Sequence, residues 1–229
     1  MYKERVTDVF FDLDHTLWDF ERNSALTFRK IFSESAVGMD VDAFLKVYIP
    51  INLRFWKLFR EGRIDQQELR FLRLKTAFDA LGHPATDSFV RYVSNEYIAH
   101  LSSYNHLFPN TIEILDYLSP KYRLHIVTNG FQEIQDKKLR NSGIARYFDQ
   151  VINSEMAGAK KPDPLIFRLA LSRANAVAER SIMIGDSIEA DILGAKAVGL
   201  NVLHFNAHDE PKHHHCEMIG DLSEIKFYL

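Results

Sequence analysis

The sequence predicts an α/β protein: a doubly wound parallel sheet with helices on both faces and a separate α-helical domain inserted after the first strand. Three observations carry this expectation. Short apolar runs rich in β-branched residues recur between turn-rich edges, the pattern of strands buried on both faces. The stretches between the last four runs are long enough for helical crossovers, which parallel neighbours require. About 110 residues separate the first run from the second, too many for one crossover.

The first strand is expected at Val9-Phe10-Phe11, after Thr7. In the long interval, Val47, Ile51, Phe55 and Leu58 fall on one helical face, and Phe71, Leu74, Phe78 and Leu81 on another, ended by Gly82 and Pro84. This helical insertion is bounded near Asp19 and near 105–109, giving a core domain of residues 1–18 and 105–229 and an insertion of residues 19–104. The core resumes with a helix through Ile112, Leu115 and Leu118, then strands at Leu124-His125-Ile126-Val127, Val151-Ile152, Ile182-Met183-Ile184 and Val202-Leu203-His204-Phe205. The Ala-rich segment from Ile188 to Val198 reads as a helix closed by Gly199. No internal repeat is visible apart from His213-His214-His215, which is expected in a solvated loop.

With 229 residues, 46% of them hydrophobic, the chain can bury a large core. A formal charge of -3 gives no global field for nucleic acid or anionic lipid, so neither is an expected partner. The single cysteine, Cys216, excludes an intramolecular disulfide and fits a reducing compartment; an inert, partly exposed thiol is expected. The charged opening Met1-Tyr2-Lys3-Glu4-Arg5 does not resemble a signal peptide. No apolar stretch reaches the roughly 18 residues needed to span a bilayer. A soluble, cytoplasmic protein is the expectation.

Four segments at strand ends carry chemistry. Phe11-Asp12-Leu13-Asp14-His15-Thr16-Leu17 sets two carboxylates two residues apart at the carboxyl end of the first strand, where open α/β sheets bind ligands. An Asp-rich turn would look similar. Thr128-Asn129-Gly130-Phe131 offers a hydroxyl and helix-start amides to phosphate oxygens, although a plain strand-to-helix turn shares the pattern. In Lys160-Lys161-Pro162-Asp163, the residue ahead of proline, Lys161, is the better placed fixed charge, unless it is a surface lysine. Gly185-Asp186-Ser187-Ile188-Glu189-Ala190-Asp191 supplies a further carboxylate; with Asp12 it makes a hard-oxygen donor set suited to Mg²⁺, helix capping being the alternative use.

Together and in this order, the four segments resemble the haloacid dehalogenase (HAD) superfamily, whose motifs run DxDxT, Ser or Thr, Lys, and GDxxxxD. The match spans essentially the whole chain, including a helical cap inserted after the first motif on a Rossmann-like core. The resemblance implies that Asp12 is a nucleophile forming an aspartyl-phosphate, and that Asp14 is the general acid, then base. It implies that Asp12, the carbonyl of Asp14 and Asp186 hold Mg²⁺, that Thr128 and the amides around Asn129 and Gly130 bind phosphoryl oxygens, that Lys161 neutralises charge, and that Asp191 supports the lysine or the metal shell.

Within the superfamily, dehalogenases lack the second aspartate, because halide leaves without a proton; Asp14 therefore favours phosphate esters. Asn129-Gly130-Phe131, Asn52 with Phe55-Trp56 and Gly62, and Asn206-Ala207-His208 resemble the YjjG-like pyrimidine 5′-nucleotidases. Trp18, Phe20, Trp56 and Phe131 are candidates to wall in a planar base, core packing being their other use. The expected activity is Mg²⁺-dependent hydrolysis of a small phosphate monoester, a pyrimidine (deoxy)nucleoside monophosphate. The alternative is a broad sugar-phosphate phosphatase or a phosphomutase similar to β-phosphoglucomutase. Linkers near residues 15–20 and 102–109 are expected to let the insertion open and close.

Overall fold

A computed structural model of the protein describes all residues except Met1, Lys3, Glu4, Ala36, Val37 and Asp209; the charged opening stretch therefore lies partly outside the described residues. The chain divides into two compact units, residues 1–20 with 105–229, and residues 21–104.

The first unit opens with β1 (Asp8–Phe11), whose four residues are all buried. After the second unit the chain re-enters through α5 (Thr111–Leu118), labelled to follow the helices α1 (Phe20–Glu34), α2 (Val41–Arg60), α3 (Gln66–Ala80) and α4 (Asp87–His100). Then come β2 (Arg123–Thr128), α6 (Gln132–Asn141), β3 (Phe148–Asn153), the single turn α7 (Ser154–Ala157), α8 (Pro164–Ala174) and β4 (Ser181–Gly185). A π-helical turn (Ile188–Leu193) runs into the short α9 (Gly194–Lys196), followed by β5 (Asn201–Phe205) and β6 (Met218–Ile219).

The six strands form one sheet in the order β3-β2-β1-β4-β5-β6, with every neighbouring pair parallel. This is the doubly wound arrangement, and its strand order reverses direction at β1, so the connections leaving the carboxyl ends of β1 and β4 run to opposite sides and leave a crevice between them. Phe10, Val127, Ile152, Phe167, Met183, Ile192 and Val202 pack on one another in the core. Both faces of the sheet must be apolar for this, which is why the strands read as unbroken hydrophobic runs.

The first strand begins with a buried charge, Asp8, at the opposite end of the sheet from the crevice. Thr7 Oγ1 donates to it at 2.7 Å, Arg123 at 2.9 Å, and the His125 ring nitrogen lies 3.0 Å away. An aspartate in an apolar sheet is tolerated only with such partners.

The second unit is built on aromatic packing. Phe28 contacts Phe44, Tyr48 and Tyr97 with ring centroids 4.7–4.9 Å apart. The buried Arg73 guanidinium sits 5.1 Å from the Tyr97 ring and donates to Asn52 Oδ1 at 2.9 Å. Asn52 is thus an internal fixture of this unit. Asp65 and Glu68 close a reciprocal capping box at the start of α3.

The Ile188–Val198 segment differs from a plain α-helix. Its first turn is π, with the Ile192 N–H reaching Ser187 O at 3.2 Å, five residues back. Wider winding follows from the Asp191 carboxylate being folded back beneath Gly185: it accepts the Ser187 N–H at 3.0 Å, and a Cβ on Gly185 would fall 2.3 Å from it. The two-residue strand β6 is an addition that no apolar run announced.

Candidate active site

The chemical groups of the crevice gather at the carboxyl ends of the strands. Asp12 follows β1, its N–H held by Ile184 O at 2.9 Å on the neighbouring strand. The next residues turn tightly: His15 N–H donates to Trp18 O, Trp18 N–H to Leu13 O, and His15 adopts φ 65°. That turn points the Thr16 hydroxyl at Asp186 Oδ1, 3.4 Å away.

Lys161 is the hub. It is 2% exposed, and its three N–H bonds go to Asp12 Oδ1 at 2.5 Å, Asp191 Oδ1 at 2.6 Å and Val127 O at 2.7 Å. Its backbone is clasped in both directions by one side chain: Lys161 N–H donates to Asn129 Oδ1 at 2.7 Å, and Asn129 Nδ2 donates to Lys161 O at 3.0 Å. The Asn129 side-chain amide thus fixes Lys161. Gly130 N–H donates to Thr128 Oγ1 at 3.1 Å, and Gln132 N–H to Glu155 at 2.7 Å.

Asp12, Asp186 and Asp191 offer carboxylate oxygens that all lie within 4.8 Å of one another. Burial drives the Asp12 carboxyl well above its ordinary range, and Asp191 and Asp186 add to the rise against the pull of Lys161. Burial likewise raises Asp191. Asp186 is held low: burial opposes ionisation, but His208, His15 and Lys161 outweigh it, with His208 Nε2 3.7 Å from Asp186 Oδ2. Burial would lower Lys161, yet Asp12 and Asp191 keep it charged. With all three carboxylates ionised, the cluster would carry two negative charges beyond the one that Lys161 balances. Buried excess charge of this kind is costly unless a cation joins it, and hard carboxylate oxygens are the donors that a divalent cation such as Mg²⁺ takes. The residues fit the metal. Asp191 already spends one oxygen on Lys161 and the other on Ser187 N–H, which leaves Asp12 and Asp186 the open carboxylates.

Several residues of the site are not among those singled out from sequence. Lys138 and Gln135 of α6 bind Asp14: Lys138 Nζ lies 2.5 Å from Oδ1, and Gln135 Nε2 donates to Oδ2 at 2.9 Å. Their signal was available, since both occupy the stripe of α6 that Ile134 and Leu139 bury. His204 of β5, completely buried, donates Nε2–H to Asp186 O at 2.8 Å, since a carbonyl only accepts; His213 Nδ1 accepts the His215 N–H at 3.2 Å, so His213 Nε2–H is the donor to His204 Nδ1 at 2.9 Å. The histidine run is therefore more than a solvated loop: His213 reaches in to the strand end. The Cys216 thiol is pushed up by burial, which makes it unreactive.

Trp18 and Phe131 are buried. The Trp18 ring has the Lys138 ammonium 4.2 Å from its centroid, so that face supports the lysine and is closed to a planar base.

Compared with known proteins, the profile of the haloacid dehalogenase-like hydrolases matches residues 9–199. The chain belongs to that family. Among other members of the HAD family, pyrimidine 5′-nucleotidase PynA of Streptococcus pneumoniae is 32% identical over 207 residues, covering 90% of this chain and 86% of that protein. A glyceraldehyde 3-phosphate phosphatase of Methanothermobacter thermautotrophicus is 32% identical over 242 residues, covering 96% and 98%. The HAD-hydrolase YfnB of Bacillus subtilis, solved with magnesium bound, superposes with a TM-score of 0.88 at 28% identity, covering 98% of both chains. Among the described residues no helix is long and apolar enough to cross a membrane.

Proposed function

We propose that this HAD hydrolase is a Mg²⁺-dependent phosphatase that forms an aspartyl-phosphate on Asp12, and that its substrates are pyrimidine nucleoside 5′-monophosphates. The observation that carries the chemistry is the cluster of Asp12, Asp186 and Asp191, whose carboxylate oxygens lie within 4.8 Å of one another beside the buried Lys161. The likeness to PynA supports the substrate class.

In the first half-reaction an Asp12 oxygen forms a bond to phosphorus as the ester P–O bond breaks. The bonding pair leaves with the ester oxygen, which takes a proton from Asp14. In the second half, the Asp14 carboxylate takes a proton from water, the water oxygen bonds to phosphorus, and the Asp12–phosphorus bond breaks. The products are the alcohol and inorganic phosphate, with Asp14 protonated again. Asp12, the Asp14 carbonyl and Asp186 would hold Mg²⁺, whose charge offsets that of the phosphoryl oxygens. Thr128 and the neighbouring amides orient those oxygens, Lys161 neutralises them and keeps Asp12 aligned, and Asp191 holds Lys161 in place.

The test is phosphate release from a panel of pyrimidine and purine 5′-monophosphates, triose phosphates and hexose phosphates, with Mg²⁺ and with EDTA. Pyrimidine nucleotides should lead, EDTA should silence the reaction, and Asp12→Asn should abolish it. Turnover confined to sugar phosphates would overturn the nucleotide assignment in favour of the second reading, a sugar-phosphate phosphatase, which the Methanothermobacter relative favours.

A further inference from the structure

Resting on the reading of Asp14 as general acid and base, we propose that Gln135 and Lys138 of α6 are positioning residues that set the Asp14 carboxyl for proton transfer. One oxygen of Asp14 faces Lys138 Nζ and the other faces Gln135 Nε2, so both are fixed from a single helix. Residues three apart on a helix share a face, and α6 uses that geometry to grip one carboxyl at two points.

Three features show that the grip is built. First, Lys138 is 2% exposed on a stripe shared with Ile134 and Leu139, where an ammonium needs strong compensation. It has Asp14, and it has the rings of Trp18 and Phe20, with centroids 4.2 and 5.4 Å away. Second, the Gln135 amide is oriented for Asp14 at its own expense. Its nitrogen spends one hydrogen on Asp14 Oδ2 and the other on Thr128 Oγ1 at 2.7 Å, while its buried oxygen has no partner. Turning the amide over would set oxygen against carboxylate. Third, residue 130 must lack a side chain for Gln135 to be there, because a Cβ on Gly130 would lie 2.3 Å from Gln135 Nε2. The same amide therefore spans Asp14 and Thr128, tying the proton donor to the hydroxyl expected at the phosphoryl oxygens. Lys161 orients Asp12 in the same manner, so each of the two aspartates of the first motif has its own buried lysine.

The experiment compares kcat/KM, which covers the steps up to aspartyl-phosphate formation, for two esters. The alkyl ester turned over best in the substrate panel needs a proton at its leaving oxygen; the 4-nitrophenolate of 4-nitrophenyl phosphate departs without one. Lys138→Met and Gln135→Met, each close in size to the residue replaced, should lower kcat/KM for the alkyl ester about 10²-fold and for the nitrophenyl ester less than about 10-fold. Asp14→Asn is the reference and should show the same selectivity. Equal losses on both esters, or no loss, in both α6 variants while Asp14→Asn stays selective would overturn the positioning role. An unselective Asp14→Asn would instead remove the acid role assigned to Asp14. If Lys138→Met does not fold, Gln135→Met alone decides, since it leaves the Lys138–Asp14 pair in place.

Discussion

Lys161 has three N–H bonds and uses all of them, two on carboxylates and one on a carbonyl at the end of β2. No slack remains: removing the ammonium strands Asp12 and Asp191 in a buried site with their charges unopposed. Breaking a buried pair by deleting one partner costs about 3–5 kcal/mol, most of it the penalty of the charge left behind. Lys161→Met should therefore lower the midpoint of urea unfolding as well as abolish turnover. Adding Asp191→Asn to it should restore part of the stability, because one stranded charge is gone, and none of the activity. A double variant as unstable as the single one would contradict this account of the hub.

At the scale of the element, the π turn after β4 exists to bring Asp191 under Gly185, and the glycine is what makes room. Gly185→Ala would drive a methyl into the Asp191 carboxylate, with contacts at 2.3 Å to the oxygen and 2.6 Å to Cβ. Overpacking of that kind costs about 1–3 kcal/mol. Here it should also displace Asp191 from Lys161, so kcat should fall by at least about 10-fold with circular dichroism unchanged; wild-type turnover would mean that the turn can relax. The strands were legible because burial on both faces leaves long apolar runs, and three of the chemical segments because each stands at the end of such a run, whereas Lys161 lies eight residues past β3. Other elements left weaker marks. The strand β6 is two residues long and has no run to read, and the π turn depends on a contact six residues apart that no periodicity records. On α6 Gln135 and Lys138 share the stripe of Ile134 and Leu139, but nothing in that stripe says that Asp14 is what they meet. The clasp of the Asn129 side chain on Lys161 left no mark either, since it pairs segments 32 residues apart.

Across the whole molecule the net charge is only -3, yet three carboxylates gather beside one buried lysine in a single cluster. Proton and metal therefore compete for it, and the sign of that competition follows from the directions of the shifts. Asp12 and Asp191 have folded-state affinities for a proton raised by burial. In the metal-free protein their contribution to stability is fully present below the ordinary carboxylate range and is lost as pH rises through the raised values. Asp186, held low, stays ionised over the same window and does not offset this. Mg²⁺ needs the carboxylates ionised, so its stabilisation should grow as the proton's disappears. At a concentration a hundredfold above its dissociation constant a ligand adds about 2.7 kcal/mol, which in a chain of this size raises Tm by roughly 5–10 °C. Differential scanning calorimetry should find that increment at pH 8 and a clearly smaller one at pH 5, and Asp186→Asn should lose most of it at both. An increment independent of pH, or one that survives Asp186→Asn, would place the bound cation elsewhere on the protein and leave the charge of the cluster to be balanced by protons alone.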